Sequence, residues 1–159
     1  MPNVVELQEE LKWKNRSIAL MLEIDYIRDN TREEHEMAAA MLGKLVEAVE
    51  PDLGLLFLFD DEGGQLQLRS MVDRAKVQEN SLVDLERKIA SETSAMPGGR
   101  ITETAEALTD GRSAYFLAAS LQVAGVRLGA LLLVNVGREF TQARKEVVRH
   151  GVSQIDSAL

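Results

Sequence analysis

The sequence predicts an α+β sandwich: a central antiparallel sheet with the N- and C-terminal helices packed on one face, an irregular helical insertion on the other, and a long helix leading in. Three observations carry this expectation. Apolar residues recur at helical spacing at both ends of the chain, two apolar hairpin patterns lie between those ends, and the less regular stretch 73–112 separates the hairpins.

The first helix follows from what is missing between Asn3 and Asn30. No Gly interrupts the stretch, and Pro2 stands where proline suits a helix start. Val4, Leu7, Leu11, Ile18 and Met21 fall at heptad spacing with Lys14 interrupting, while Trp13, Leu20, Ile24 and Ile27 form a second stripe displaced around the helix. So broad an apolar surface fits either a helix laid on its own domain or a helix shared between two copies. The second reading makes Leu7, Leu11, Trp13, Ile18 and Met21 the dimer helix. Trp13, between Lys12 and Lys14, requires cover from a partner chain or from the domain body.

Thr31-Arg-Glu-Glu34 has the spacing of a capping box for a second helix, with Asn30 closing the first. Met37, Met41, Leu45 and Val49, supported by Leu42 and Val46, form its buried face until Pro51 stops it. Leu53–Phe59 is a short apolar run, Asp60-Asp-Glu-Gly-Gly64 has turn chemistry, and Gln65–Val72 alternates with period two, which together predict a hairpin. Within 73–112 the pattern supports a helix over Leu82–Glu92, a loop at Met96–Arg100 and a weak segment from Ile101 to Thr109. Ser113–Val123 and Val126–Val136 read as a second hairpin turning at Ala124-Gly125, with Leu128, Ala130, Leu132 and Val134 on one face. Thr141 caps a last helix to about Ala158, where Val147, Val148, Val152 and Ile155 recur at helical spacing.

At 159 residues the chain suits one domain with a helical appendage, divided as 1–30 and 31–159. Its net charge of −8, with no Lys/Arg cluster to meet a run of phosphates, argues against nucleic-acid binding. The absence of cysteine excludes disulfides, thiolate metal sites, thiol catalysis and thioether-linked pigments. No apolar run reaches the roughly 20 residues of a membrane span and no secretion pattern opens the chain, so the expected location is the cytoplasm without membrane insertion.

The segments "LGLLFLFDDEGGQLQLRSMV", "AYFLAASLQVAGVRLGALLLVN" and "FTQARKEVVRHGVSQIDSAL" resemble the GAF family of sensory domains over about Thr31 to Leu159. The resemblance implies a dimer formed partly by the terminal helices and a ligand pocket between the sheet and the 73–112 insertion. GAF domains bind cyclic nucleotides, tetrapyrroles or small metabolites, and many have no known ligand. The Asn-Lys … Phe-x-x-x-Asp-Glu pattern of nucleotide-binding members is broken here: Asn135 and Phe140 match, but Val136, Arg144 and Lys145 replace the remainder. Bilin attachment and sulfoxide reduction through cysteine are ruled out in their usual form.

Candidate ligand contacts are the strand aromatics Phe57, Phe59, Tyr115 and Phe116, which either floor a pocket or pack a core, with Arg69 on a strand face and Arg100 in the Met96–Arg100 loop as polar contributors. His35 and His150 lie on different helices without ligand spacing, Asp60-Asp-Glu62 lacks the spacing of a calcium loop, and Ser113 and Tyr115 have no base nearby. No cofactor and no catalysis are therefore expected. Two functions remain: a dimeric sensor of an unidentified small molecule that signals in trans to a separate protein, or a ligand-free dimerisation or adaptor module.

Overall fold

The computed structural model describes residues 3–60, 64–98, 100–123 and 126–158. Helix α1 (Val4–Asn30) begins at a capping box that the sequence reading did not anticipate. The Asn3 side chain accepts from the Glu6 amide at 2.8 Å, and the Glu6 carboxylate accepts from the Asn3 amide at 3.3 Å. Helix α2 (Glu34–Val49) corrects the second expected cap. Its N-cap is Glu33, whose carboxylate accepts from the amides of His35 at 3.0 Å and Glu36 at 2.6 Å. Thr31 instead ends α1 in extended backbone, too early in the chain to reach those amides. The His35 and Glu36 amides hold the Glu33 carboxyl below its usual range. At the other end of α2, Glu50 adopts the left-handed conformation and donates its N–H to the Val46 carbonyl at 2.8 Å, immediately before Pro51.

Strands β1 (Leu53–Phe59), β2 (Leu66–Asp73), β3 (Ile101–Ala107), β4 (Ser113–Val123) and β5 (Val126–Val136) form one sheet in the order β2-β1-β5-β4-β3, with every neighbouring pair antiparallel. Helix α3 (Asn80–Ser94) lies between β2 and β3 in sequence, and α4 (Gln142–Ala158) closes the chain. The segment expected to be weak after Ile101 is the edge strand β3. Its alternating Thr and Glu residues carry no apolar signal because only one of its long sides is paired. By contrast β1 is central and covered on both faces, so its apolar run is nearly continuous. Residues 61–63 of the expected turn Asp60–Gly64, and both residues of the expected turn at 124–125, lie outside the described residues; Asp60 donates its N–H to the Gln65 carbonyl at 2.9 Å and Gly64 has a positive φ.

Two cores flank the sheet. On one face Leu56, Leu58, Leu117, Ala119, Leu131 and Leu133 pack under the buried faces of α1, α2 and α4. On the other, Leu53, Leu55, Phe57, Phe116, Leu132 and Val134 meet Leu82, Ile89 and Ala90 of α3. This is the expected α+β sandwich. Leu20, Ile24 and Ile27 of α1 belong to the first core along with Met41, Val148 and Val152, so the C-terminal half of this helix packs into the body.

Two bulges change the side-chain alternation. In β2 the register passes from Leu56↔Ser70 to Phe57↔Leu68 and leaves Arg69 as the extra residue. In β5 it passes from Leu121↔Gly129 to Gln122↔Arg127, and Leu128 is the extra residue. Leu128 consequently packs against the helix-covered core while Ala130, Leu132 and Val134 face α3, so the expected four-residue face is broken at its first member.

Candidate functional site

Helix α3 crosses the sheet with Leu82, Ile89, Ala90 and Thr93 buried, and the same stripe carries a carboxylate. Glu86, one turn from Leu82, is 1% exposed. Such a charge requires partners. The partner present is Gln78, on the segment between β2 and α3, whose Nε2 donates to the two Glu86 oxygens at 2.5 and 2.9 Å. Asp73, the last residue of β2, positions that segment: its carboxylate accepts from the amides of Val77 at 2.9 Å and Gln78 at 3.1 Å. The other end of the Gln78 amide, Oε1, is buried and has no hydrogen-bond partner.

Gln78 and Glu86 border a cavity of about 540 Å³ between the β1–β2 edge and α3. Phe57, Leu66 and Leu68 give it an apolar floor, Val83 an apolar wall, and Gln67, Arg87 and Ser91 polar margins. Its volume is in the range of small-molecule sites, and its few convergent polar groups on an apolar lining match their chemistry. Burial pushes the Glu86 carboxyl up to about 7; the Gln78 hydrogen bond opposes this, the Asp73 charge adds to it, and the Arg87 charge lowers it.

By sequence, no family model and no curated protein matches the chain. Solved structures do match. The GAF domain of an Acinetobacter phosphoenolpyruvate-protein phosphotransferase is 12% identical and superposes with a TM-score of 0.56 over 91% of this chain and 90% of that one. The GAF domain of a putative sensor histidine kinase from Pseudomonas syringae pv. tomato is 14% identical, with a TM-score of 0.58 over 95% and 87%. A phycoerythrobilin-bound GAF domain from a cyanobacterial phytochrome is 10% identical, with a TM-score of 0.62 over 89% and 93%. The fold is that of a GAF domain.

Within this GAF fold the sequence-predicted contacts separate. Phe57 lines the cavity. Phe59 ends β1 opposite Leu66 and does not line it. Phe116 is 1% exposed in the core beneath α3. Tyr115 points to the opposite face, where with Phe140 and Lys145 it borders a smaller hollow of about 220 Å³. Arg69, the bulge residue, is exposed, and its charge acts on Glu33 at the start of α2. Arg100 is exposed just ahead of β3. Glu86 and Gln78 escaped the sequence reading, although one signal was present: Glu86 falls on the Leu82–Ile89 stripe where an apolar residue belongs.

Asn135, which matches the first position of the nucleotide motif, has a tethering role. Its Oδ1 accepts from the Asp52 amide at 3.0 Å, and the Asp52 carboxylate accepts from the Val136 amide at 2.9 Å and the Arg138 guanidinium at 3.0 Å. These bonds tie the start of β1 to the end of β5. The Met96–Arg100 loop, of which Gly99 lies outside the described residues, is held at its start: Gln122 donates to the Met96 carbonyl at 3.2 Å, and Arg127 donates at 2.9 Å to the carbonyl of Ala95, the α3 C-cap just before it. His150 lies 3.2 Å from the Ser17 hydroxyl, and His35 lies beside Glu33. No cluster of three metal-ligating side chains occurs among the described residues.

Helix α1 shows which stripe the body covers. Trp13 packs against the helix-covered core, with the guanidinium groups of Arg16 at 4.7 Å and Arg144 at 5.0 Å from its ring centre. The same two arginines donate to the last carbonyls of α2, Arg16 to Ala48 at 3.3 Å and Arg144 to Val49 at 3.0 Å, at the negative end of its dipole. Trp13 is thus covered by its own chain. The heptad stripe faces away from the body: Leu7, Leu11, Ile18 and Met21 are exposed, Leu11 and Ile18 by 58% and 57%, and Val4, Leu22 and Tyr26 are exposed as well. No described helix is long and apolar enough to cross a membrane.

Proposed function

We propose that this GAF-fold chain is a non-catalytic, cytoplasmic sensory domain that takes a small molecule into the cavity between β1, β2 and α3, dimerises through α1, and signals in trans to a separate protein. The observation that supports it most is the cavity itself, with a buried carboxylate and an orphaned amide oxygen at its margin. A core with no ligand role gains nothing from leaving such groups beside open space. Native mass spectrometry of the freshly purified protein tests the reading, because it reports subunit number and retained small molecules together. The expected spectrum is a dimer with added non-protein mass; a bare monomer would overturn both halves of the proposal.

The exposed stripe on α1 supports the dimer and, taken alone, the alternative of a ligand-free dimerisation or adaptor module. From Val4 to Leu22 it runs roughly 27 Å along the helix. It is interrupted by Lys14, and its free face is separate from the Leu20–Ile27 face that meets the body. Each leucine or isoleucine buried at a seam contributes on the order of 1.5–3 kcal/mol, and an aspartate there adds an unpaired charge. Leu11→Asp combined with Ile18→Asp should therefore halve the mass seen by light scattering while leaving the circular dichroism spectrum intact. An unchanged mass would reject this seam.

A further inference from the structure

The buried Glu86–Gln78 pair indicates the chemistry of what the cavity takes, an inference that rests on reading the cavity as a ligand site. We propose that the ligand is a small organic cation with at least two N–H donors on an apolar body, its charged head received by the Glu86 carboxylate and Gln78 Oε1 and its body lying on Phe57, Leu66 and Leu68. The Glu86 oxygens together have about four acceptor positions, and the Gln78 Nε2 contacts leave some of them open. Beside them Gln78 Oε1 is a buried acceptor with nothing donating to it. Two acceptors side by side, one able to carry a full charge, ask for donors and a positive charge together. An amidinium, guanidinium or primary ammonium head supplies both.

Other ligand classes fit worse. A carboxylate or phosphate entering the cavity would meet Glu86 as a like charge in a site of low dielectric. A neutral apolar molecule would leave Oε1 unpaired, which is the costly outcome for a buried acceptor. The charged groups acting on Glu86 are Asp73 from the end of β2 and Arg87 from α3 itself. Arg87 is exposed at the margin, where it leaves the floor free for the apolar body.

Proton linkage gives the proposal its own signature. A cation binds the ionised carboxylate, and burial raises the Glu86 pKa to about 7 in the empty site. Affinity should accordingly rise about tenfold from pH 6 to pH 8 and then level off. Benzamidine, benzamide and benzoate share one shape and differ in charge and donors, and each can be titrated into 15N-labelled protein and followed by amide chemical shifts. Benzamidine is expected to shift β2 and α3 amides with that pH dependence, and Glu86→Gln, which keeps the side-chain volume, to weaken it at least tenfold. Equal binding of benzamide or benzoate, unchanged affinity in E86Q, no response to benzamidine, or shifts that map away from β2 and α3 would each overturn the cation assignment. The cavity reading is tested separately by the native mass spectrum: a retained anionic or neutral molecule would leave the site standing and remove its proposed selectivity for cations.

Discussion

Gly129→Ala should leave little or no folded protein at 25 °C, with a loss of at least about 3 kcal/mol in urea denaturation if any native state persists. A Cβ at Gly129 would lie 1.9 Å from the Phe57 carbonyl oxygen and 2.9 Å from the Leu58 Cα, and both of these are backbone atoms of the neighbouring strand. No rotamer change can relieve such a contact. The β1–β5 pair would have to separate at the pairing of Leu58 with Gly129, at the centre of a five-stranded sheet whose two faces are both packed. The site is also the bulge at which Leu128 crosses to the other face, so the absent side chain and the displaced register are one local feature. Gly43, whose Cβ would meet nothing within 4 Å, is the matched control. Its replacement by alanine in the middle of α2 should be neutral or stabilising by up to about 1 kcal/mol. Equal stability of the two variants would show that the strands can separate at little cost.

The strands and helices were legible where burial leaves a periodic trace. β1, β4 and β5 are central, so their apolar runs mark them to the residue, and Met37, Met41, Leu45 and Val49 mark the buried face of α2. Legibility fails where the determining contact is local and polar, or distant in sequence. Thr31 has the better capping chemistry in a one-dimensional string, but α2 starts at Glu34, so the carboxylate of Glu33 is the side chain that meets its first free amides. A bulge has no signature in a period-two pattern, so nothing in the alternation of Gln65–Val72 marks Arg69 as the residue left without a partner in β1. The aromatic residues marked the strands without indicating which face each side chain takes, and Tyr115 and Phe116 fall on opposite sides of β4. Glu86 was overlooked because a charged residue within a helix is ordinarily assigned to solvent. Only the position of α3 over the sheet shows that this one is buried.

That burial should make stability depend on pH in a way that one substitution removes. Glu86 has an ordinary pKa of 4.5 and one of about 7 in the folded protein, so the native state holds this proton more tightly than the unfolded chain does. The sign follows directly: the site weakens the fold least below pH 4.5, progressively more from 4.5 to 7, and by a constant amount above about 8. Water in the open cavity moderates the penalty, which leaves roughly 2 kcal/mol between pH 5 and pH 8. Glu86→Gln retains the shape and loses the proton. Its stability measured against wild type by urea denaturation should therefore be similar at pH 5 and higher by about that amount at pH 8. Glu33 and Asp110, whose carboxyls are held below their usual range by hydrogen bonds from backbone amides, slope the opposite way in both proteins and cancel in the comparison. Parallel stability profiles for the two proteins would show that Glu86 is solvated and that its cavity exerts no electrostatic demand. A carboxylate that weakens its own fold near neutral pH is the kind of local cost that binding can offset: a cation seated against Glu86 should restore at pH 8 the stability that the empty site lacks, and it should do so in wild type and not in E86Q.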